Sequence, residues 1–158
     1  MKHVAEGDVD AVFREVTAFV TKVSPAFEAL SRIMFTPDYV AMLTDLSALI
    51  NIGPAGEIIL QRLGLPADQA IGLTLLGSKI AGKIGKKQSD DMSVDELASS
   101  IRKTAKTVRN TVVEMTKANL VERTGRGTYR ITMIGVKELL DDVKAILESE
   151  AHQQGGSR

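Results

Sequence analysis

The sequence contains no cysteine and no tryptophan, and it has only two histidines in 158 residues. Without cysteine, neither a disulfide framework nor a cysteine-based metal site can form. His3 and His152 stand near opposite ends of the chain, so they do not suggest a multi-histidine metal site or a histidine general base. We therefore expect no bound metal and no histidine-based catalysis.

Other signatures of catalysis and cofactor binding are also missing. The pairs Asp90-Asp91 and Asp141-Asp142 are adjacent in sequence, and adjacent residues do not face one site on a helix, so solvated charge is expected. The glycines of Gly125–Thr128 have neither a following helix nor the lysine of a phosphate-binding loop. We expect a protein that is not an enzyme and that binds no cofactor.

Long apolar runs are absent as well. No run of about 18 apolar residues occurs, and no charged segment followed by an apolar one opens the chain, which predicts a cytoplasmic protein without a membrane partner. Hydrophobic residues make up 44% of the sequence but aromatic residues only 4%. Helices that pack through aliphatic side chains suit this composition, so we expect a mainly α-helical fold of one domain with an appendage.

The segment from Val94 to Ile134 predicts a helix, a tight turn, a second helix and a β-hairpin. Ser93 can cap the first helix, because Glu96 follows it at the reciprocal spacing of a capping box. Leu97 and Ile101 then form a short apolar face one turn apart. This order of elements is that of a winged helix-turn-helix.

The second helix is expected over about residues 104–118 and is the predicted recognition helix. Its apolar face consists of Ala105, Val108, Val112 and Met115, and the opposite face carries Lys103, Lys106, Asn110 and Lys117, with Arg109 on its flank. Asn119 stands where the helix must stop, and asparagine is second to glycine in the left-handed position after a helix.

The wing is predicted over about residues 120–133, where polar and apolar residues alternate as in two short strands. Gly125, Arg126 and Gly127 would form the turn, because both glycines tolerate positive φ. Arg126 would then be presented to solvent at the tip.

Positive charge is concentrated in this part of a formally neutral chain. Between Ile101 and Arg130 there are eight basic residues against Glu114 and Glu122, which is typical of a polyanion binder. Phosphates would be held by Lys103, Lys106, Arg123 and Arg126, and bases approached by Thr107, Arg109 and Asn110. The complete predicted DNA-binding set is Arg102, Lys103, Lys106, Thr107, Arg109, Asn110, Lys117, Arg123, Arg126 and Arg130.

These residues resemble the winged-helix regulators of the MarR, PadR and ArsR kind. The pattern T-V-x-x-x-V-x-x-M-x-x-x-x-L-V, which leads from recognition helix to wing, is matched by Thr107, Val108, Val112, Met115, Leu120 and Val121. Thr132, Gly135, Leu139 and Leu140 are similar to the capped turn and leucine-rich helix that often follow. The resemblance covers about half of the chain and departs from the pattern at Asn119, where glycine is usual. It implies a DNA-binding architecture and carries no ligand or metal signature.

The N-terminal half is patterned differently. Two apolar rows repeat every seven residues, one formed by Val9, Val16, Val23 and Leu30 and the other by Val12, Phe19, Ala26 and Ile33. Phe13, Val20, Phe27 and Met34 widen this stripe, and Pro25 either kinks the helix or begins a new one. We expect residues 1–65 to form a helical region that mediates oligomerisation, with a helix from Thr36-Pro37 to Gly53-Pro54 and a short one from Glu57 to Leu63.

Residues 66–150 are expected to form the winged-helix domain. Ala67–Lys86 would be its first core helix, in which Gly77, Ala81 and Gly85 permit close packing, and a final helix would run from Gly135 to about Glu150. Residues 151–158 are expected to be disordered.

Charge is scarce before the helix-turn-helix: only Asp45, Glu57, Arg62, Asp68 and Lys79 are charged between Tyr39 and Gly82. A self-complementary homodimer interface is the economical way to cover these apolar surfaces, and an ordinary monomeric core is the alternative. Two functions follow: a homodimeric transcriptional regulator that binds double-stranded DNA, or a winged-helix subunit that contacts another protein through its N-terminal helices. A sequence-tolerant, chromatin-like DNA binder is a variant of the first.

Overall fold

The computed structural model describes residues 11–12, 14–16 and 39–155, without the side chains of residues 39–42. The chain divides into two compact units, Met1–Thr36 and Pro37–Arg158. In the first unit the described residues are helical, and Val12 and Val16 are 43% and 56% exposed. The other members of the two heptad rows, and Pro25, lie outside the described residues.

The second unit is mainly helical and contains two small antiparallel sheets. Its helices are α1 (Tyr39–Leu46), α2 (Ala67–Lys83), α3 (Val94–Ile101), α4 (Ala105–Lys117) and α5 (Met133–Gly155). Its strands are β1 (Ile50–Ile52), β2 (Ile58–Leu60), β3 (Met92–Ser93), β4 (Val121–Gly125) and β5 (Thr128–Ile131). The fold is thus mixed α/β, and the expectation of a mainly helical fold with one β-hairpin agrees with it only in part, because β1, β2 and β3 were not expected.

Strand β5 lies at the centre of a three-stranded sheet with the order β3-β5-β4. Met92 pairs with Tyr129 on one side of it, and Glu122 pairs with Arg130 on the other. The hairpin that follows α4 is therefore tied to the segment that precedes α3. The other sheet is the β1–β2 hairpin, in which Asn51 pairs with Ile59.

Helix α2 forms the centre of the core. Its side chains are buried around the whole helix, including Ile71, Leu73, Leu75, Leu76 and Ile80. Helices α3, α4 and α5 and both sheets all pack against it, which explains why so few of its residues are charged.

Two glycines allow these neighbours to approach α2 closely. A Cβ atom at Gly77 would lie 2.8 Å from Ile58 Cγ2, and one at Gly72 would lie 3.1 Å from Leu139 Cδ1. The close approach expected at Gly77 is thus made by the β1–β2 hairpin and not by another helix. Gly85 lies after the end of α2 with a φ of +79°, so it acts in the turn and not in helix packing.

The helix predicted from Thr36-Pro37 to Gly53-Pro54 was wrong beyond Leu46, and the helix predicted from Glu57 to Leu63 was also wrong. Ile50–Ile52 and Ile58–Leu60 are strands instead. Burial alternates along both of them, and Gly56 makes the intervening turn with a φ of +83°. Isoleucines in a period-two pattern around a Gly-Pro turn favour a hairpin over a short helix.

The compact units do not divide at the domain boundary that was expected between residues 65 and 66. Leu46, Leu49, Ile50 and Ile58 belong to the buried core that surrounds α2, and the compact unit begins at Pro37. Most of the apolar surface between Tyr39 and Gly82 is thus covered within the chain. The scarcity of charge there does not by itself require a second subunit.

Helix α5 is longer than expected at both ends. It begins at Met133 and continues to Gly155, so residues 151–155 of the predicted disordered tail are helical. Thr132 stands before it and accepts a hydrogen bond from the Gly135 N–H at 3.0 Å. Residues 156–158 lie outside the described residues.

Candidate nucleic-acid interface

Helix α3 begins with the capping box expected from the sequence. Ser93 Oγ accepts a hydrogen bond from the Glu96 N–H at 3.1 Å, and Glu96 Oε2 accepts one from the Ser93 N–H at 2.7 Å. Each side chain thereby satisfies a backbone donor that the first helical turn leaves free. Asp95 and Glu96 also place negative charge at the positive end of the helix.

The turn between α3 and α4 consists of Arg102, Lys103 and Thr104. Arg102 adopts a left-handed conformation with a φ of 55°, and the Lys103 N–H donates to the Ala98 carbonyl at 3.1 Å. This bond closes the end of α3 in the manner of a Schellman motif, where glycine is the usual residue. Arg102 therefore sets the angle at which the chain enters α4.

Thr104 caps α4. Its Oγ1 accepts a hydrogen bond from the Thr107 N–H at 3.2 Å, and the two threonine hydroxyl groups lie 3.0 Å apart. Thr107 was predicted to approach a base edge, but in this structure the residue is half-buried and its hydroxyl lies against that of Thr104 in the cap. Its first role is to position the helix.

The faces of α4 lie as predicted. Val108, Val112 and Met115 are buried, whereas Lys106, Arg109 and Asn110 are exposed. Asn119 follows the helix with a φ of 60°, which confirms the left-handed residue expected there. The outward face also carries Val113, 47% exposed, which the sequence analysis did not single out.

The basic residues near the start of α4 are free of ion pairs. Among the residues that the structure describes, Arg102, Lys103, Lys106 and Arg109 form no salt bridge. In contrast to α3, helix α4 has no acidic residue in its first turn. The positive end of the helix dipole and these cationic side chains therefore act together on the same surface.

Three other predicted contacts are already engaged within the chain. Lys117 pairs with Glu114 at 3.0 Å, Arg130 pairs with Glu122, and Arg123 Nε donates to the Gly125 carbonyl at 2.9 Å. The hydrogen bond and charge of Glu122 raise the pKa of Arg130 above its ordinary value. These side chains would have to leave internal partners to bind an anion, unlike those at the start of α4.

The hairpin tip presents Arg126 to solvent, as predicted. Gly127 has a φ of +75°, but Gly125 does not have the positive φ that was also expected of it. A Cβ atom at Gly125 would lie 2.9 Å from Thr128 Oγ1, so a close approach between the strands is what restricts this position. The irregular register between Arg123 and Gly125 lies at the same point.

Asp91 is an anchor of the hairpin, and the expectation that it is merely solvated was wrong. Its carboxylate accepts hydrogen bonds from Thr124 Oγ1 at 2.9 Å and Ser89 Oγ at 2.7 Å. The bonds from Ser89 and Thr124 lower the pKa of Asp91 below its ordinary value. The Val94 N–H adds a bond to the Gly127 carbonyl at 3.1 Å, so the tip is held beside the start of α3.

This attachment gives the tip a different electrostatic environment from α4. Asp91 lies next to the hairpin, and Asp95 and Glu96 are in the helical turn that begins where Gly127 is bound. The positive potential of the surface is therefore expected to be strongest at the start of α4, with Arg126 as an isolated cation at the tip.

The second adjacent acidic pair is Asp141-Asp142. Its Asp142 lines a small pocket together with acidic and apolar side chains, including Asp68, Glu138, Met115 and Leu139. Burial, followed by the charges of Asp68 and Asp141, raises the pKa of Asp142.

Within the described ranges, no group of acidic and histidine residues is arranged to hold a metal ion. None of the helices described is long and apolar enough to cross a membrane.

Comparison of this chain with models of known protein families, with curated proteins and with solved structures finds no match.

Proposed function

We propose that this chain is a DNA-binding protein of the winged helix-turn-helix type, with α4 as the recognition helix and the β4–β5 hairpin as the wing. The order α2, β3, α3, α4, β4, β5 supports this interpretation, as does the pairing of β3 with β5 in one sheet. The observation that carries the proposal is the group of cations at the start of α4. They form no salt bridge among the described residues, whereas Lys117 and Arg130 are paired with glutamates and Arg123 bonds to a backbone carbonyl.

The chemistry of this surface suits the DNA backbone. Lys103 and Lys106 flank the first turn of α4, where free N–H groups and the helix dipole favour an anion. A phosphate at this position would meet positive charge and would repel no acidic side chain of that turn. Lys103, Lys106 and Arg102 would accordingly bind phosphates and set the position of the helix.

The next turn suits the edges of the bases. Arg109 and Asn110 are exposed one turn further along α4, on the side away from buried Val108. An arginine can bind guanine O6 and N7 together, and an asparagine can bind adenine N6 and N7 together. Contacts of this kind would make binding depend on the DNA sequence, whereas phosphate contacts alone would not.

The protein is further proposed to act as a homodimeric transcriptional regulator in the cytoplasm. The two heptad rows of residues 9–34 supply the proposed dimer contact, and the exposure of Val12 and Val16 in the single chain is consistent with an unfilled interface. Paired subunits would bind paired half-sites on the duplex.

Exposed apolar residues favour one alternative, a winged-helix subunit that binds another protein. Ile59 and Leu63 are exposed in and after the β1–β2 hairpin, and Ile84 is exposed after α2. On this interpretation, Lys106→Ala would leave DNA binding unchanged. The free cations of α4 favour DNA over this alternative.

The decisive experiment measures the affinity of the full chain for random and for selected duplexes at several salt concentrations. Specific binding predicts higher affinity for the selected duplex, and log affinity should fall with log salt by about 0.9 per phosphate neutralised. Lys106→Ala should weaken binding to all duplexes and make this slope shallower by about one unit. Lys144→Ala, which removes an exposed lysine from α5, is the matched control. Equal effects of the two substitutions would contradict the assignment of α4.

A further inference from the structure

Val113 is the one large aliphatic side chain on the outward face of α4. The apolar residues Val108, Val112 and Met115 are buried against the core, but Val113 is 47% exposed. It follows Arg109 by four residues and Asn110 by three, and Lys117 follows it by four. Residues at these spacings are neighbours on a helix surface, so Val113 lies within the polar stripe.

The local structure does not account for a valine at this position. Val113 does not belong to the buried core cluster, whereas its neighbour Val112 is fully buried in it. Valine also favours a helix less than alanine or lysine, because its branched side chain loses rotamer freedom there. A stable and solvated helix face would be better served by either of those residues.

The major groove offers one apolar group to such a side chain. Thymine alone carries a C5-methyl group on the groove edge, and aliphatic side chains contact it, whereas the other base edges present hydrogen-bonding groups. A helix that places Arg109 and Asn110 against base edges would bring Val113 to a base pair further along the same groove. Its two methyl groups would exclude water from the thymine methyl without leaving a polar group unpaired.

We propose that Val113 is a specificity-determining residue that packs against the C5-methyl group of a thymine in the bound site. This inference rests on the proposed function, because it assumes that α4 enters the major groove. It adds that the preferred half-site contains a thymine which is recognised by its methyl group and not by a hydrogen bond. The contacts proposed for Arg109 and Asn110 do not specify which base stands at that position of the half-site.

The test removes the methyl group from the DNA and the valine from the protein, separately and together. A preferred duplex is first selected from a random library with the wild-type chain, and each thymine is then replaced by deoxyuridine. In each half-site, the replacement of one particular thymine should lower the wild-type affinity by about fourfold, which is the effect expected from the loss of one buried methyl group. Val113→Ala should bind the thymine duplex more weakly and show little further loss with deoxyuridine.

Two controls keep this result interpretable. Ile59→Ala shortens an aliphatic side chain of similar exposure, 50%, on β2, and it should retain the full sensitivity to deoxyuridine. Val113→Thr keeps the branched shape and one methyl group but replaces the other with a hydroxyl. It should retain part of the discrimination between thymine and uracil, because a threonine methyl can also contact the thymine methyl.

The outcomes separate this inference from the proposed function. If the library yields no preferred duplex and Lys106→Ala has no effect, the DNA-binding proposal fails and this inference fails with it. If a preferred duplex is found but the wild type and Val113→Ala respond equally to every deoxyuridine, Val113 does not read a thymine methyl. DNA binding through α4 would then stand without this contact.

Discussion

Thr124 and Asp91 join the hairpin to the segment before α3, through a hydrogen bond of 2.9 Å from the threonine hydroxyl to the aspartate Oδ2. The two residues are far apart in sequence, and the bond supplements the short pairing between β3 and β5. It holds the proposed wing next to the helix-turn-helix. The orientation of Arg126 therefore depends on a carboxylate that is outside the hairpin.

Asp91→Ala should loosen the hairpin and lower the free energy of unfolding by about 1 kcal/mol, a modest value because the bonds are near the surface. The lowered pKa of Asp91 determines the direction in which the stability of the protein changes with pH. The stability from ionised Asp91 is present above the unfolded-state pKa and is lost as pH falls through the lower folded-state pKa.

Urea denaturation of wild type and Asp91→Ala between neutral pH and about pH 2 measures this difference, taking the unfolded aspartate pKa as about 3.9. The two curves should converge at the acid end. Asp141→Ala, at an exposed position on α5, serves as a control and should show a smaller difference at neutral pH. A difference for Asp91→Ala that persists unchanged at acid pH would show that the carboxylate charge is not responsible.

Arg126→Ala and Arg130→Ala should affect DNA affinity differently, although each removes one arginine from the same hairpin. Arg126 is exposed at the tip without an ion pair among the described residues, whereas Arg130 is bound by Glu122. The loss of a free cation should make the salt dependence of log affinity shallower by about one unit. Arg130→Ala should change this slope less.

Salt titrations of both variants with one duplex measure the difference. An unchanged affinity and slope in Arg126→Ala would mean that the hairpin is structural only and that recognition rests on α4.

Arg102→Gly should separate the conformational role of this residue from its charge. Because Arg102 holds a left-handed conformation that disfavours a Cβ atom, glycine should stabilise the turn by about 0.5–1 kcal/mol. Arg102→Ala keeps the Cβ atom and should give no such gain. If Arg102 binds phosphate, both variants should lose the same DNA affinity, since both lack the guanidinium group.

Thermal and chemical denaturation, together with binding at fixed salt, test the two roles independently. A glycine variant less stable than the alanine variant would contradict the conformational argument.

Gly77→Ala should destabilise the protein, although alanine favours a helix over glycine by about 1 kcal/mol. The added Cβ atom would lie 2.8 Å from Ile58 Cγ2 and 3.1 Å from Ile50 Cδ1, so the β1–β2 hairpin would have to shift. Overpacking of this kind costs about 1–3 kcal/mol and should exceed the helix gain.

Gly82→Ala is the matched control on the same helix, because its nearest contact would be an ordinary 3.8 Å to Asp90. The denaturation midpoint should fall for Gly77→Ala and should stay unchanged or rise for Gly82→Ala. Similar shifts for both would show that the hairpin does not pack against α2 as tightly as described.

Features that depend on neighbouring residues could be predicted from residue order alone. The capping box of Ser93 and Glu96, the outward face of α4 and the left-handed Asn119 all arise from interactions within one or two helical turns. Such interactions have fixed spacings, so residue order is enough to predict them.

Features that depend on contacts between distant residues could not be predicted in this way. Residues 50–60 form a hairpin because buried Ile50 and Ile58 pack on α2, and strand β3 is too short to be predicted without its pairing to Tyr129. The pairing of the charges on the cationic surface also depends on distant residues. Arg126 and Arg130 look alike in sequence, but strand register places Glu122 beside Arg130 and leaves Arg126 at the tip. Which charges remain unpaired follows from through-space distances, because side-chain pairing depends on the folded positions of strands and helices.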